Sequence, residues 1–282
     1  HVRGEPFVSR LWSGFRAPKQ PIPGGDFAGV VEAVGATVTQ FKLGDEVYGD
    51  VTDRGFGAFA EYLSAPESAM ALKPVNASFE EAAGAAQSGL VALQGLRDKG
   101  QIRAGQKVLI VGASAGNGTF AVQIAKAYGA EVTGVCGTRN VELVRSIGAD
   151  YVIDYTQEDF WRREQRYDLI FATAGNNSIF DYKRALSPTG TYVSAGGAMA
   201  QVYQGMFLGL LVSAVGSRRM TFLYMKQDQK DLVTLKELIE SGEVRTVIDR
   251  RYPLHQAAEA LRYYSEGHAR GKIIITMDDG AA

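Results

Sequence analysis

Residues 107–118 read KVLIVGASAGNG, so Gly112, Gly116 and Gly118 stand directly after an apolar run and at the start of an amphipathic one. Glycine lets a backbone approach a ligand closely, and a helix N-terminus presents unpaired N–H groups and a positive dipole. Together they suit a pyrophosphate. A tight strand-to-helix turn would use the same residues, but the flanking strand and helix favour the nucleotide. The next apolar strand ends in Cys136, Gly137, Thr138, Arg139 and Asn140. A strand tip built for NAD usually carries an acidic residue about 20 residues past the glycines, where it holds the ribose 2′-hydroxyl. This tip has none, and Arg139 suits a 2′-phosphate through charge-assisted bonds, against the competing reading of a solvated arginine at a helix start. The expected cofactor is NADPH, with Gly137, Thr138 and Arg139 around its ribose phosphate.

Other chemistry-bearing residues are few. The single cysteine, Cys136, forms no internal disulfide and reads as a small buried residue. The histidines are His1, His255 and His268, and no CxxC or HExxH spacing occurs, so no metal site is expected. No Ser-His-Asp or Cys-His set is evident. Thirty Lys and Arg against 31 Asp and Glu leave a net charge of -1, which gives nucleic acid no field to follow. The apolar run at residues 206–216 is about half the roughly 20 residues that a membrane span needs, and it reads as a buried helix. The start, HVRGEPF, carries no Met and no targeting pattern, so the expectations are a cytoplasmic protein and a chain that lacks its natural N-terminal segment.

The elements that must hold the glycine loop follow from length and periodicity. A chain of 282 residues accommodates about two domains. Residues 24–71 read as short β runs, FAGVVEAVG, EVYGDV and AFAEYLSA, broken by turn residues such as Gly44 and Asp45, which predicts a compact antiparallel β domain. Ser78 and Glu81 form a capping-box pattern that opens a helix. Strands and helices then alternate to about residue 224, which predicts an open parallel sheet with helices on both faces. A polar helix from Asp228, a helix over residues 255–266 and a strand KIIITM close the chain.

The segments PGGDFAGVVEAVG, FKLGDEVYG, GAFAEYLSAPE, GASAGNG and VTGVCGTRNVELVRSIGADYVIDY resemble the zinc-free quinone oxidoreductase branch of the medium-chain dehydrogenase/reductase superfamily. The resemblance covers nearly the whole chain. It implies an α/β fold: a Rossmann doubly wound parallel sheet in residues 85–242, plus a GroES-like β-barrel substrate domain from residues 1–84 and 243–282. It also implies NADPH-dependent reduction of quinones or α,β-unsaturated carbonyl compounds, and homodimerisation. Where the family's zinc enzymes have a histidine ligand, this chain has Gly25.

By the same resemblance, Gly112, Ala113, Ser114, Gly116, Asn117 and Gly118 form the phosphate loop. Ala174, Gly175 and Asn176 run beside the nicotinamide ribose, with Gly196 and Gly197 in the following loop. Lys272 reaches the pyrophosphate. Tyr48 and Ser88 are the catalytic candidates; against them stand a packed β-domain aromatic and a helix hydroxyl bonded to its own backbone. Phe7 occupies the place of a tyrosine found in some members. Two other functions fit the same residues: a zinc-free NAD(P)-dependent alcohol dehydrogenase, and an NADPH-binding protein with little turnover.

Overall fold

The computed structural model describes residues 21–197, 216–267 and 269–277. His1, Phe7, His268 and all of the 206–216 run except Gly216 lie outside the described residues.

The chain first builds an antiparallel sheet, β1 (Asp26–Val30), β2 (Glu46–Asp50) and β3 (Met70–Leu72), in the order β1-β2-β3. AFAEYLSA, expected as a strand, is irregular, and the third strand is Met70–Leu72 instead. Left-handed backbone at Phe56 and Gly57 (φ 63° and 110°) breaks the pleat just before that segment. Helix α1 (Phe79–Gln94) follows, and its capping box is complete: the Glu81 N–H donates to Ser78 Oγ and the Ser78 N–H to Glu81 Oε2.

Six parallel strands come next: β4 (Lys107–Val111), β5 (Glu131–Cys136), β6 (Tyr151–Asp154), β7 (Tyr167–Ala172), β8 (Leu186–Ser194) and β9 (Arg219–Phe222). Their spatial order is β6-β5-β4-β7-β8-β9, the arrangement of a Rossmann sheet, which reverses direction between β4 and β7. Helices α2 (Gly116–Ala127), α3 (Val141–Ser146) and α4 (Ile179–Ala185) connect them, and α5 (Gln229–Glu240) follows β9. The chain ends with β10 (Ile248–Pro253), α6 (Ala257–Ser265) and β11 (Lys272–Thr276), and β10 and β11 pair in parallel.

The sheet is apolar on both faces, as a parallel sheet between helices must be. Val108 and Ile110 of β4 join Leu169 and Phe171 of β7 in the core under α1 and α2. The alternate residues, Leu109, Val111, Ile170 and Ala172, face the other way, onto a core that holds the stacked rings of Tyr182 and Tyr192 at 4.4 Å. The unbroken apolar runs of the sequence are therefore divided, residue by residue, between two cores, and the strand tips are left for the site.

Candidate active site

Four loops at the C-terminal ends of β4, β5, β7 and β8 meet where the strand order reverses. The first is the glycine loop. Gly112 has φ 83°, and a Cβ there would approach the Ala174 Cβ to 2.6 Å. A Cβ on Gly118 would overlap the Gly112 carbonyl oxygen, so the turn closes only with glycine at both positions. Ala115 is the N-cap of α2 and makes no side-chain capping bond, in contrast to Ser78 of α1 and Ser178 of α4. The first turn of α2 thus keeps N–H groups for a ligand phosphate, which is the fit a dinucleotide requires.

The β5 loop lies alongside. Asn140 is buried and donates to Ser114 Oγ at 3.0 Å, tying this loop to the glycine loop, while its Oδ1 has no protein partner. An orphaned buried acceptor at this position fits a ribose hydroxyl. Thr138 and Arg139 are exposed, and Thr138 pairs with Thr156 at 2.9 Å. The exposed ring of Tyr155 stands over Gly137, with its hydroxyl 3.3 Å from where a Cβ would be. The sequence reasoning missed Asn140 and Tyr155. Their only signal was adjacency to the strand tips. Next to the glycine loop, Thr173 Oγ1 donates to the Val111 carbonyl at 3.2 Å, and Gly175 turns the chain at φ 113° into exposed Asn176. Gly196 lies so close to Thr173 that a Cβ would come within 2.6 Å of its carbonyl oxygen, and Gly197 has φ 107°.

Lys272 and Ser88 are brought together. Gly271 bridges to Ala115, which sets the start of β11 against the glycine loop. The Lys272 ammonium donates to Ser88 Oγ at 2.9 Å and pairs with Asp26 Oδ2 at 3.0 Å. Ser88 is buried and bonded to a charge carried by another element. A Cβ on Gly116 would lie 3.2 Å from Lys272 Cδ and 3.6 Å from Ser88 Oγ, so both side chains adjoin the phosphate loop. A cavity of about 330 Å3 opens beside them, with Gly25, Asp26, Gln87 and Lys272 in its polar lining and Phe59, Ile273 and Ile275 in its apolar lining.

Tyr48 is a correction. Its ring is fully buried and its hydroxyl donates to the Leu232 carbonyl at 2.6 Å, tying β2 to α5. Burial, with the charge of Glu240 second, pushes its phenol well above the ordinary value. A hydroxyl with no open side and a held proton is a strut, and Tyr48 leaves the catalytic set. Cys136 is also buried, and desolvation pushes its thiol up to about 11, so it stays protonated.

The family model described as alcohol dehydrogenase GroES-like domain matches residues 6–75, and the one described as zinc-binding dehydrogenase matches residues 147–275. The NADPH-dependent alkenal/one oxidoreductase, chloroplastic, of Arabidopsis thaliana is 33% identical over 281 residues, 95% of this chain and 68% of that protein. The chain belongs to the quinone oxidoreductase branch of the medium-chain dehydrogenase/reductase superfamily, an oxidoreductase family. The 2-methylene-furan-3-one reductase of Solanum lycopersicum is 33% identical over 92% of this chain, which spans 64% of that protein's length. The solved quinone oxidoreductase of Coxiella burnetii superposes with a TM-score of 0.84 at 26% identity, over 96% of this chain and 83% of that one.

One of those family descriptions carries zinc, and the described residues do not supply its donors. Among them, no group of three or more His, Cys, Asp or Glu is placed to hold a metal ion. At Gly25 the space for a side chain is filled by Thr52 Oγ1. Among the described residues, no helix is long and apolar enough to cross a membrane.

Proposed function

We propose that the chain transfers a hydride from NADPH to the electron-poor carbon of a quinone or an α,β-unsaturated carbonyl compound, without zinc. The observation that carries this reading is the convergence on one crevice of an uncapped helix start, a glycine cradle and a β5 tip whose own residues include Arg139 and no carboxylate, with Asp154 of β6 bonded to Thr138 at its flank. The similarity to relatives named alkenal/one oxidoreductase and quinone oxidoreductase supports it.

When bound, NADPH supplies the hydride. The N–H groups of Gly116, Asn117 and Gly118 hold the pyrophosphate, with Ala113 and Ser114 forming the bend behind it. Lys272 adds a positive charge that Asp26 and Ser88 keep in place. Thr138, Arg139 and Tyr155 receive the 2′-phosphate over Gly137. Asn140 orients the adenine-side ribose. Ala174, Gly175, Asn176, Gly196 and Gly197 would line the nicotinamide half and orient it. The apolar wall of the cavity takes the carbon frame of the acceptor, and its polar end takes the oxygen.

The domain limits expected from the sequence, homodimerisation and a cytoplasmic location belong to the same proposal. The limit at residues 84/85 falls inside α1, which packs on β1, β2 and β11 as well as on α2 and α5. Among the described residues β9 is one of the two edge strands of the six-stranded sheet, which is compatible with a dimer joined edge to edge. Light scattering and cell fractionation check these two points.

The test of function is NADPH oxidation by purified protein in chelator-treated buffer, offered an enone, a quinone and, with NADP+, a set of alcohols. Turnover of the enone or quinone alone is the expected result. Alcohol oxidation alone, loss of activity to the chelator, or cofactor binding with no turnover would each refute the reading.

A further inference from the structure

We propose that Asp50 is carried as a neutral carboxylic acid and supplies, through the Thr52 hydroxyl, the proton that completes the reduction. The proton step rests on the function proposed above.

Asp50, at the end of β2, is 1% exposed. Its Oδ1 accepts the Thr52 N–H at 2.8 Å and lies 2.5 Å from Thr52 Oγ1, whereas its Oδ2 is buried without a partner. The Gln227 side chain donates its amide nitrogen to the Asp50 main-chain carbonyl. That carbonyl only accepts, so the orientation of the Gln227 amide is set, and its Oε1 is the second buried atom without a partner. An ionised carboxylate with one oxygen buried and unpaired is costly, and one proton on Asp50 removes that buried charge.

The surrounding charges agree. Asp50 lies directly across the ladder from Asp26 of β1, and like charges opposed on neighbouring strands repel. Asp26 keeps its own charge compensated by Lys272 of β11 and by the Gln87 N–H. The α1 side chain bonded to Thr52 and the side chain from the loop before α5 bonded to the Asp50 main chain are neutral amides, Gln87 and Gln227. Burial first, and Asp26 second, push the Asp50 carboxyl above the usual carboxylate range.

Thr52 is the exit. Its hydroxyl accepts from Gln87 Nε2 at 3.0 Å and fills the space over Gly25, and Gly25 and Gln87 both line the cavity. Thr52 is partly exposed and Asp50 is not, so the hydroxyl meets the acceptor and the acid stands behind it. As the hydride adds to the β-carbon of an enone, the π electron pair moves to the carbonyl oxygen. The Thr52 O–H proton goes to that oxygen. A half-turn of the carboxyl brings the Asp50 proton to Thr52, which takes it as its own leaves. Asp50 ends as a carboxylate and regains a proton from water between turnovers. Hydride plus proton completes the two-electron reduction.

Infrared difference spectra of wild type against Asp50→Asn at pH 7 read the first half of the proposal, whatever the enzyme turns over. The expected result is a protonated-carboxyl C=O band that shifts in D2O and is missing from the variant. No such band would overturn the proposal. Asp50→Asn should fold, because its side-chain oxygen can still accept the Thr52 N–H and the substitution buries no charge; retained thermal stability checks this. With an enone, Thr52→Val should lower kcat about 100-fold with KM little changed, and Thr52→Ser should restore it. Wild-type kcat should fall towards alkaline pH, as the acid ionises, along a limb that Asp50→Asn lacks. Unchanged kcat in Thr52→Val and Asp50→Asn would refute the donor role even with the band present. A wild type that binds NADPH but reduces no enone or quinone would instead refute the function and the step with it, leaving the band to decide whether Asp50 is neutral.

Discussion

Tyr48→Phe separates a strut from a catalyst, and its magnitude follows from one contact. The mutation removes the 2.6 Å bond to the Leu232 carbonyl and nothing else, because the ring stays buried in the same core. Leu232 lies in the first turn of α5, so its carbonyl keeps the helix N–H four residues on, and no buried acceptor is orphaned. The loss is therefore that of one net hydrogen bond, about 1 to 1.5 kcal/mol. Unfolding entropy of about 2.1 cal/mol/K per residue over 282 residues is about 0.6 kcal/mol/K, so Tm should fall by about 2 °C. Calorimetry without cofactor measures that shift, and steady-state kinetics with the best acceptor should give an unchanged kcat. A tenfold or greater fall in kcat with Tm unmoved would refute this reasoning and return Tyr48 to the catalytic set.

Gly118→Ala drives a methyl into the Gly112 carbonyl and must open the glycine loop, so NADPH should cease to raise Tm while the apo-protein loses about 1 to 3 kcal/mol. Retained cofactor stabilisation would mean that the loop is not the phosphate site. Arg139→Ala should weaken NADPH binding at least about tenfold and leave NADH binding within about twofold, as measured by titration calorimetry; equal losses would deny the 2′-phosphate contact. Cys136, with its thiol pushed up to about 11, should resist iodoacetamide at pH 8 until the chain unfolds. The unfolded thiol ionises first as pH rises, so native stability should decline between about pH 9 and 11, and Cys136→Ala should flatten that decline. Rapid native alkylation at pH 8 would contradict the burial.

What the sequence made legible was whatever neighbours along the chain determine. Ser78 and Glu81 are three residues apart, and their capping box was readable because both bonds close within one turn. The glycine loop was readable because its turn, helix start and strand are contiguous. AFAEYLSA alternated like a strand, yet the place beside β2 went to Met70–Leu72, because pairing depends on a partner 20 or more residues away. Tyr48 could not be sorted from sequence, since its bond crosses 184 positions to Leu232. The polar group in the cleft was hidden for the same reason. Thr52 meets Gln87 and Asp50 meets Gln227 only after α1 and the loop before α5 have packed against the β domain, and each alone is an ordinary polar residue.

Helix α1 contacts β1, β2, α2, α5 and β11. Gln87 at its middle binds Asp26 and Thr52, Ser88 meets Lys272, and Gln94 at its end donates to Asp231 and to the Lys226 carbonyl. Each residue added to or removed from a helix turns everything beyond it by about 100°. A deletion ahead of Gln87 would thus swing its N–H off the Asp26 carboxylate, its side chain off Thr52 and Ser88 off Lys272 in a single step. This helix behaves as a keyed shaft whose residue count is fixed by the groups it must align at once.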